Sequence, residues 1–278
     1  MAQTFQHLSV PGGGDMPCSP LSRELAIRHY KLSTSKITSP LRLLLITDLH
    51  STKFGSDQGI LLDAIKACRP DLILLAGDIA DHKVPFEGAK LLFTQLAAAY
   101  PCFYVSGNHE HWTGKMEALK RWLHTRGIIV LDGTTRTVTI AGQLLQVGGV
   151  DDPHRFTNSH HAIRLCDGWR KQFSACCAGV SPELYSILLS HRPELTGFYK
   201  KSGFDLVVAG HAHGGQVRIP GLCNGLFAPH QGLFPRYAGG CYTLGHTSMI
   251  VSRGLCLNRL PRVFNPPELV VIRLEPTK

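Results

Sequence analysis

Five short apolar runs in this chain each stop at residue types that bind metal ions: LRLLLITDLH, DLILLAGDIAD, CFYVSGNHE, YSILLSHRPE and DLVVAGHAHGGQ. Such runs are too short for stable helices and too apolar for strands with one wet face, so each reads as a strand buried in a sheet. Open α/β sheets place their ligands just beyond the carboxyl ends of the strands. The polar ends, Asp48/His50, Asp78, Asn108/His109, His191 and His211/His213, are therefore expected to meet in one crevice despite their distance in sequence.

With 278 residues, 44% of them hydrophobic, the chain can bury a full core. One α/β domain over residues 23–278 is expected, preceded by a flexible Gly- and Pro-bearing tail at 1–22. The first residues lack a basic start followed by an apolar segment, so no secretory signal is read. No apolar run reaches the roughly 18 to 20 residues of a membrane span. Nine cysteines occur without a C-x-x-C pair, which reads as buried free thiols in a reducing cytosol rather than disulfides or a thiolate metal site. A net charge of +9 favours an anionic partner, whether a phosphate-bearing substrate, nucleic acid or an acidic membrane surface. Lys and Arg are thinly spread, so no dedicated nucleic-acid site is expected.

Along the chain, an alternating edge strand is expected within 23–37, followed by three βα units. These comprise strands at 41–47, 72–76 and 102–105 and helices at 59–68, 86–99 and 116–126. Short strands joined by Gly turns are expected at 128–131, 135–140 and 144–150, and a helix at 158–173 with Ile163, Leu165 and Trp169 as core residues. Strands at 187–190 and 206–209 precede a Gly/Pro-rich stretch over 214–245, and the last strands fall at 248–252 and 269–274.

The residue types suggest the chemistry. One residue separates Asp48 from His50, which on a strand puts both side chains on one face, within reach of one ion. Asp78 follows a glycine at a strand end, where its carboxylate would bridge two cations. Asn108 offers a neutral carbonyl; His191, His211 and His213 offer imidazoles. Mixed nitrogen and oxygen donors suit two divalent ions of Mn, first, or of Fe or Zn, better than Mg or Ca. Two cations about 3.5 to 4 Å apart generate hydroxide at neutral pH and clamp the charge that develops on a phosphate ester. His109, beside a ligand but not itself one, would then protonate the leaving oxygen.

Asp48-x-His50, Gly77-Asp78-x-x-Asp81, Gly107-Asn108-His109-Glu110, a lone His191 and Gly210-His211-x-His213 follow the order and approximate intervals of the calcineurin-like metallophosphoesterases, which the chain resembles over about residues 41–216. The resemblance implies a four-layer α/β/β/α sandwich with two mixed sheets. It implies one metal held by Asp48, His50, Asp78 and His213, and a second held by Asp78, Asn108, His191 and His211, with His109 as the catalytic acid. The Gly214-Gly215-Gln216 ending and the later GLFAPHQGLFPRYAGG and NPPE stretches look like a bacterial phosphodiesterase branch that is often membrane-associated. Some of its members cleave the pyrophosphate of a UDP-linked diacylglucosamine in lipid A synthesis. Protein phosphatases of the superfamily carry Arg-Gly after the second Asp, where this chain has Asp81-His82-Lys83, so a phosphoprotein substrate is not expected. The branch's N-terminal membrane helix is absent from this sequence, which gives a cytoplasmic protein or one peripheral to a membrane.

Competing readings are a nuclease or nucleotide phosphodiesterase, a noncatalytic metal-binding scaffold on the same fold, and a basic nucleic-acid-binding module. Asp81 reads equally as an orienter of the site and as a helix N-cap. Glu110 reads as a loop or helix-start carboxylate. Asp151 and Asp152 read as a turn before Pro153 or as part of the site rim. The remaining histidines, His82 and the pair His160/His161 among them, read as surface or loop residues, with His111 a candidate substrate contact. The apolar loop 220–240, with Arg218 and Arg236 near it, reads as loop packing or as a wall for acyl chains.

Overall fold

The computed structural model describes residues 20–157, 166–257 and 260–277. The first half runs β1 (Ala26–Thr34), β2 (Leu41–Ile46), α1 (Gly59–Cys68), β3 (Leu72–Ala76), α2 (Glu87–Ala99), β4 (Cys102–Val105), α3 (Asn108–Trp112), α4 (Met116–Thr125), β5 (Ile129–Val130), β6 (Thr134–Ile140) and β7 (Gln143–Gly149). The second runs α5 (Asp167–Ala178), β8 (Tyr185–Leu189), α6 (Thr196–Tyr199), β9 (Leu206–Ala209), β10 (Phe227–Ala228), β11 (Gly232–Leu233), β12 (Gly240–Leu244), β13 (Thr247–Val251) and β14 (Glu268–Pro276).

Two six-stranded mixed sheets result, ordered β1-β14-β2-β3-β4-β5 and β12-β13-β9-β8-β7-β6. In the first, β2 to β5 are parallel, while β14 runs antiparallel to β2 and parallel to β1. In the second, β13, β9, β8 and β7 are parallel and the edge strands β12 and β6 are antiparallel to their neighbours.

Side chains alternate across a strand with period two, and that period sorts the apolar residues into three cores. Leu43, Leu45, Leu72, Leu74 and Phe103 face Val147, Ile187, Leu189, Leu206 and Val208 of the other sheet. Their neighbours Leu44, Ile46, Ile73, Leu75 and Tyr104 pack outward on Leu61, Ile65, Leu92, Phe93 and Leu123 of α1, α2 and α4. On the far side Leu188 and Val207 pack on Trp169 and Phe173 of α5 and Tyr199 of α6. Three cores between four layers give the α/β/β/α arrangement. Truncating a central residue such as Leu43 to Ala leaves a void between the sheets and costs about 2–5 kcal/mol.

Differences from the sequence reading have local causes. The expected helix at 158–173 lies partly outside the described residues, Ile163 and Leu165 with it. Its described part, α5, continues to Ala178 because Trp169, Phe173 and Cys176 keep one face buried past the expected end. The Gly/Pro-rich stretch contains β12, which turns into β13 through Gly245 (φ 73°) and His246, so Leu244 pairs with Thr247. Most of the expected tail also lies outside the described residues, but Pro20 is seated, its carbonyl accepting from Phe264 N–H at 2.6 Å. No helix among the described residues is long and apolar enough to cross a membrane.

Candidate metal centre

Each expected donor lies within four residues of the carboxyl end of a parallel strand, and the two sheets bring these ends together. Asp48, His50, Asp78, Asn108, His109, His191, His211 and His213 are all buried. Asp48, His50 and Asp78 form one compact group of donor atoms and Asp78, His191 and His211 another, each within 4.8 Å, so Asp78 belongs to both. His213 Nε2 lies 3.6 Å from Asp48 Oδ1. Asn108 and His109 open α3 beside Asp78, with His109 N–H donating to Asp78 Oδ1 at 2.8 Å.

Asp48 and His50 meet for a different reason than the one expected. Strand β2 ends at Ile46, and both residues are left-handed, with φ of 50° and 48°. Their side chains reach 4.0 Å through a kinked loop, not through strand alternation. Asp78, His211 and His213 are also left-handed, with φ of 52°, 67° and 47°. For a residue with a Cβ this costs roughly 1–3 kcal/mol and persists only where surrounding contacts enforce it.

Those contacts are identifiable. The β2 loop is laced to the β3 loop by Asp48 N–H to Gly77 O, His50 N–H to Asp78 O and Ser51 N–H to Ile79 O, at 2.9 to 3.0 Å. The buried Glu110 carboxylate accepts from the N–H groups of Asp78, Ile79, Ala80 and Gly107 at 2.7 to 3.0 Å, tying the β3 and β4 loops together. Burial and the nearby Asp78 charge push its carboxyl up to about 8, against the pull of those amides. The glycines of the motifs are also explained. A Cβ at Gly107 would lie 2.2 Å from Asp78 Oδ1, and one at Gly210 would lie 2.4 Å from Asp48 Oδ2.

The hydrogen-bond pattern tests whether a cation fits. His191 Nδ1 is 2.9 Å from Ala76 O, and a carbonyl only accepts, so this nitrogen carries the proton. In neutral His191 the Nε2 lone pair then faces Asp78 Oδ2 at 3.2 Å, which is acceptor against acceptor. His50 repeats the arrangement: Nδ1 donates to Asp81 Oδ2 at 2.7 Å and Nε2 faces Asp78 Oδ2 at 3.6 Å. Asp78 Oδ2 and Asn108 Oδ1 are buried and have no hydrogen-bond partner. A buried acceptor left unsatisfied costs about 1–3 kcal/mol, and opposed lone pairs add repulsion. Divalent cations between these atoms would relieve both, so the donors fit metal ions.

The titration directions agree. Burial opposes charge on His191, but Asp78, then Asp48 and Asp152, outweigh it and push its pKa up to about 10, so in the metal-free protein a proton on Nε2 would relieve the same clash that a cation relieves, and positive charge is favoured at this point. Burial also opposes charge on Asp78, yet His191, His109 and His50 hold its carboxyl well below the usual range. His213 is driven well below the usual imidazole range by burial and then by His50 and Arg262, which keeps it neutral and able to donate a lone pair.

His211 is the exception in the donor set. Arg192 Nη1, which can only donate, lies 2.7 Å from its Nε2, so the proton of neutral His211 sits on Nδ1, 3.2 Å from His191 Nε2. Arg192 is fully buried and grips Asp152 through Nε to Oδ2 at 2.5 Å and Nη2 to Oδ1 at 3.0 Å. The sequence reading missed Arg192. The available signal was its place directly after His191, with Asp151 and Asp152 following the strand β7 beside β8. Both readings of that acidic pair hold in part: Asp152 caps the turn at His154 N–H (2.9 Å) and also anchors Arg192 beside the site.

Asp81 too combines roles. Its Oδ2 accepts from His50 Nδ1–H and lies 3.1 Å from His109 Nδ1, while its Oδ1 accepts from Lys83 N–H at 2.6 Å. It caps a turn and not α2, whose N-cap is Phe86. His82 is no bystander, because its Nδ1 lies 3.0 Å from His109 Nδ1. His111 Nε2 is engaged at 2.7 Å by Ser106 Oγ, which donates its own hydrogen to Asp151 Oδ1. Cys256, read as a buried thiol, groups with His50 and His213. Asn265, within the NPPE stretch, donates to His213 O at 2.7 Å and Gln216 O at 3.2 Å, fixing the loop that carries His213. A cavity of about 520 Å³ lined by Arg23, Ser51, Thr52, Lys53, Val84, Pro85, Glu87 and Leu257 involves none of the donors and begins one residue beyond His50.

The chain is 28% identical over 264 residues to the phosphodiesterase YaeI of Escherichia coli (strain K12), covering 92% of this chain and 90% of that one. It is 27% identical over 243 residues to the metallophosphoesterase YkuE of Bacillus subtilis (strain 168), covering 85% and 79%. The fold resembles that of TT1561 of Thermus thermophilus, with a TM-score of 0.51 at 15% identity over 78% of this chain and 91% of that one. A 5'-nucleotidase precursor from the same organism aligns with a TM-score of 0.50 at 16% identity, over 78% of this chain and 49% of that one. The calcineurin-like phosphoesterase model matches residues 41–215, the span that contributes every clustered donor of the expected set. The chain belongs to that family and is a metal-dependent phosphoesterase.

Proposed function

We propose that this phosphoesterase cleaves phosphodiester or pyrophosphate linkages with a pair of divalent ions. Asp48, His50, Asp78 and His213 hold one ion, and Asp78, Asn108, His191 and His211 hold the other. The observation that carries this reading is the pair of buried, unpartnered oxygens, Asp78 Oδ2 and Asn108 Oδ1, among imidazole lone pairs. When bound, such ions supply a hydroxide nucleophile at neutral pH and a positive clamp on the phosphoryl oxygens. Asp78 keeps Oδ2 for them while Oδ1 stays on His109 N–H. His109, with Nδ1 against Asp81, presents its other ring nitrogen and gives a proton to the departing oxygen. Manganese is our first choice, and Cys256 beside His50 and His213 adds weight to iron or zinc.

A diester is favoured over a phosphoprotein because His82 occupies the position of the phosphatases' Arg and packs on His109. The likeness to YaeI supports the same side. The test is a metal screen with bis-p-nitrophenyl phosphate, its monoester, DNA and a UDP-linked diacyl sugar, with His109→Ala as control. Preference for the monoester would refute the diesterase reading. DNA cleavage without action on the lipid would favour a nuclease, and cleavage of the lipid would place the substrate in lipid A chemistry. Metal retention with no turnover on any substrate would leave a noncatalytic scaffold.

A further inference from the structure

Five parallel strands deliver the expected donors, and a sixth ends at the same place. Strand β13 runs parallel to β9 and stops at Val251, so the segment after it leaves the second sheet at the end where His211 and His213 leave it. Ser252 N–H donates to Ala209 O at 2.9 Å, which keeps the two strands in step to their last residues. The chain then turns through Gly254 (φ 72°), where a Cβ would lie 2.6 Å from Asp48 Cβ. Leu255 N–H donates to the carbonyls of Thr47 and Asp48, both at 3.2 Å, and ties this segment to the first ligand loop. The next residue is Cys256, which is 3% exposed. Cys256, His50 and His213 each offer a ligand atom within 4.8 Å of the other two. Among the described residues no other cysteine joins such a group. The group is continuous with the metal centre. His50 Nε2 lies 3.6 Å from Asp78 Oδ2, the buried oxygen without a hydrogen-bond partner, and His213 Nε2 lies 3.6 Å from Asp48 Oδ1.

We propose that Cys256 is a fifth protein ligand of the ion held by Asp48, His50, Asp78 and His213, and that it makes this half of the site selective for a thiophilic ion, zinc or iron. The proposal rests on the dimetal reading above and adds a donor to it. Buried Arg262 supports the thiolate form. Its Nη1 donates to Cys256 O at 3.1 Å, its Nη2 to Arg253 O at 2.6 Å and its Nε to Asn265 O at 2.8 Å, so its hydrogens go to carbonyls while its charge is felt at the Cys256 thiol. A cation beside a cysteine favours thiolate over thiol. Thiolate is a soft donor that selects zinc and iron, whereas carboxylate and carbonyl oxygens suit manganese. The second half, with Asp78, Asn108, His191 and His211, contains no sulfur, so manganese stays the first choice there. When the thiol binds, its S–H bond breaks, the proton passes to solvent and the sulfur gives its electron pair to the cation.

The test adds cobalt(II) to the metal-stripped full chain. Bound cobalt is counted by elemental analysis while the charge-transfer absorption of a cobalt–thiolate bond is followed in the near ultraviolet. The parent is expected to take up two ions and show that band. Cys256→Ser should bind cobalt without it, and should lose about tenfold or more of the parent's preference for zinc over manganese. X-ray absorption of the parent loaded with one equivalent of zinc should show a sulfur neighbour at about 2.3 Å, a measurement that needs no variant to fold. Two bound ions with only nitrogen and oxygen neighbours, or a band that survives in Cys256→Ser, overturns the proposal and leaves the metal pair standing. A parent that takes up no ion overturns both.

Discussion

The two halves of the metal crevice are built alike but braced by opposite charges. Behind His50 stands the Asp81 carboxylate, which accepts a hydrogen bond from Nδ1–H and leaves Nε2 electron-rich and aimed at Asp78. Behind His211 stands the Arg192 guanidinium, which donates to Nε2 and leaves the proton on the nitrogen nearest His191. A carboxylate brace raises the basicity of an imidazole ligand, whereas a cationic one lowers it and supplies positive charge of its own. On the ligand assignment proposed above, the first half suits a cation as it stands. The second would have to give up the Arg192–His211 bond to accept one, and its ion should be held more weakly.

The largest expected effect removes both halves at once. Asp78→Ala takes away the one carboxylate they share, and turnover should fall on the order of 10³-fold or more, with metal content measured alongside. Full metal occupancy in that variant would refute its shared role. Next comes Arg192→Met, which strands the Asp152 carboxylate in the interior and should cost about 3–5 kcal/mol in urea unfolding. Adding Asp152→Leu should recover most of that loss, and no recovery would mean that Arg192 acts through something other than this pair. Asp81→Asn should weaken binding of the tighter ion by about 10- to 100-fold. Calorimetric titration of the parent apoprotein should resolve two phases, and a single phase of two equal sites would remove the asymmetry argued above.

The smallest effect is on pH dependence. Burial works against the charge on Asp152, but Arg192 and His154 outweigh it and hold the carboxyl well below the usual range. A depressed carboxyl contributes stability above its unfolded pKa of about 3.9 and loses it as pH falls through the lower folded value. Metal-free Asp152→Asn should therefore show a flatter decline in urea midpoint than the parent below about pH 4. Parallel curves would mean that Asp152 contributes nothing to acid sensitivity.

The same contrast sets how far the sequence could be read. Strands β2, β3, β4, β8 and β9 are short runs of Leu, Ile, Val and their like, whose ends fall on His, Asp or Asn, so strand and donor could be read together. The sandwich came from the ordered motifs and their resemblance to a family, since apolar runs alone do not say how many sheets they form. Arg192 escaped notice, and His82, Cys256 and Asn265 were not placed at the site, because each matters through a partner far along the chain, respectively Asp152, His109, His50 and His213. Strand β12 was hidden because its inward residues sit among glycines, which blunt the alternation. Asp48 and His50 were rightly expected to be neighbours but for a wrong reason, since no spacing rule anticipates consecutive left-handed turns.

Glu110 has one more consequence. By gathering amide hydrogens from both sides of the gap between β3 and β4, it holds the basket open with protein atoms alone. A chelator should therefore silence this protein without dismantling it, and returning the ion should restart it at once.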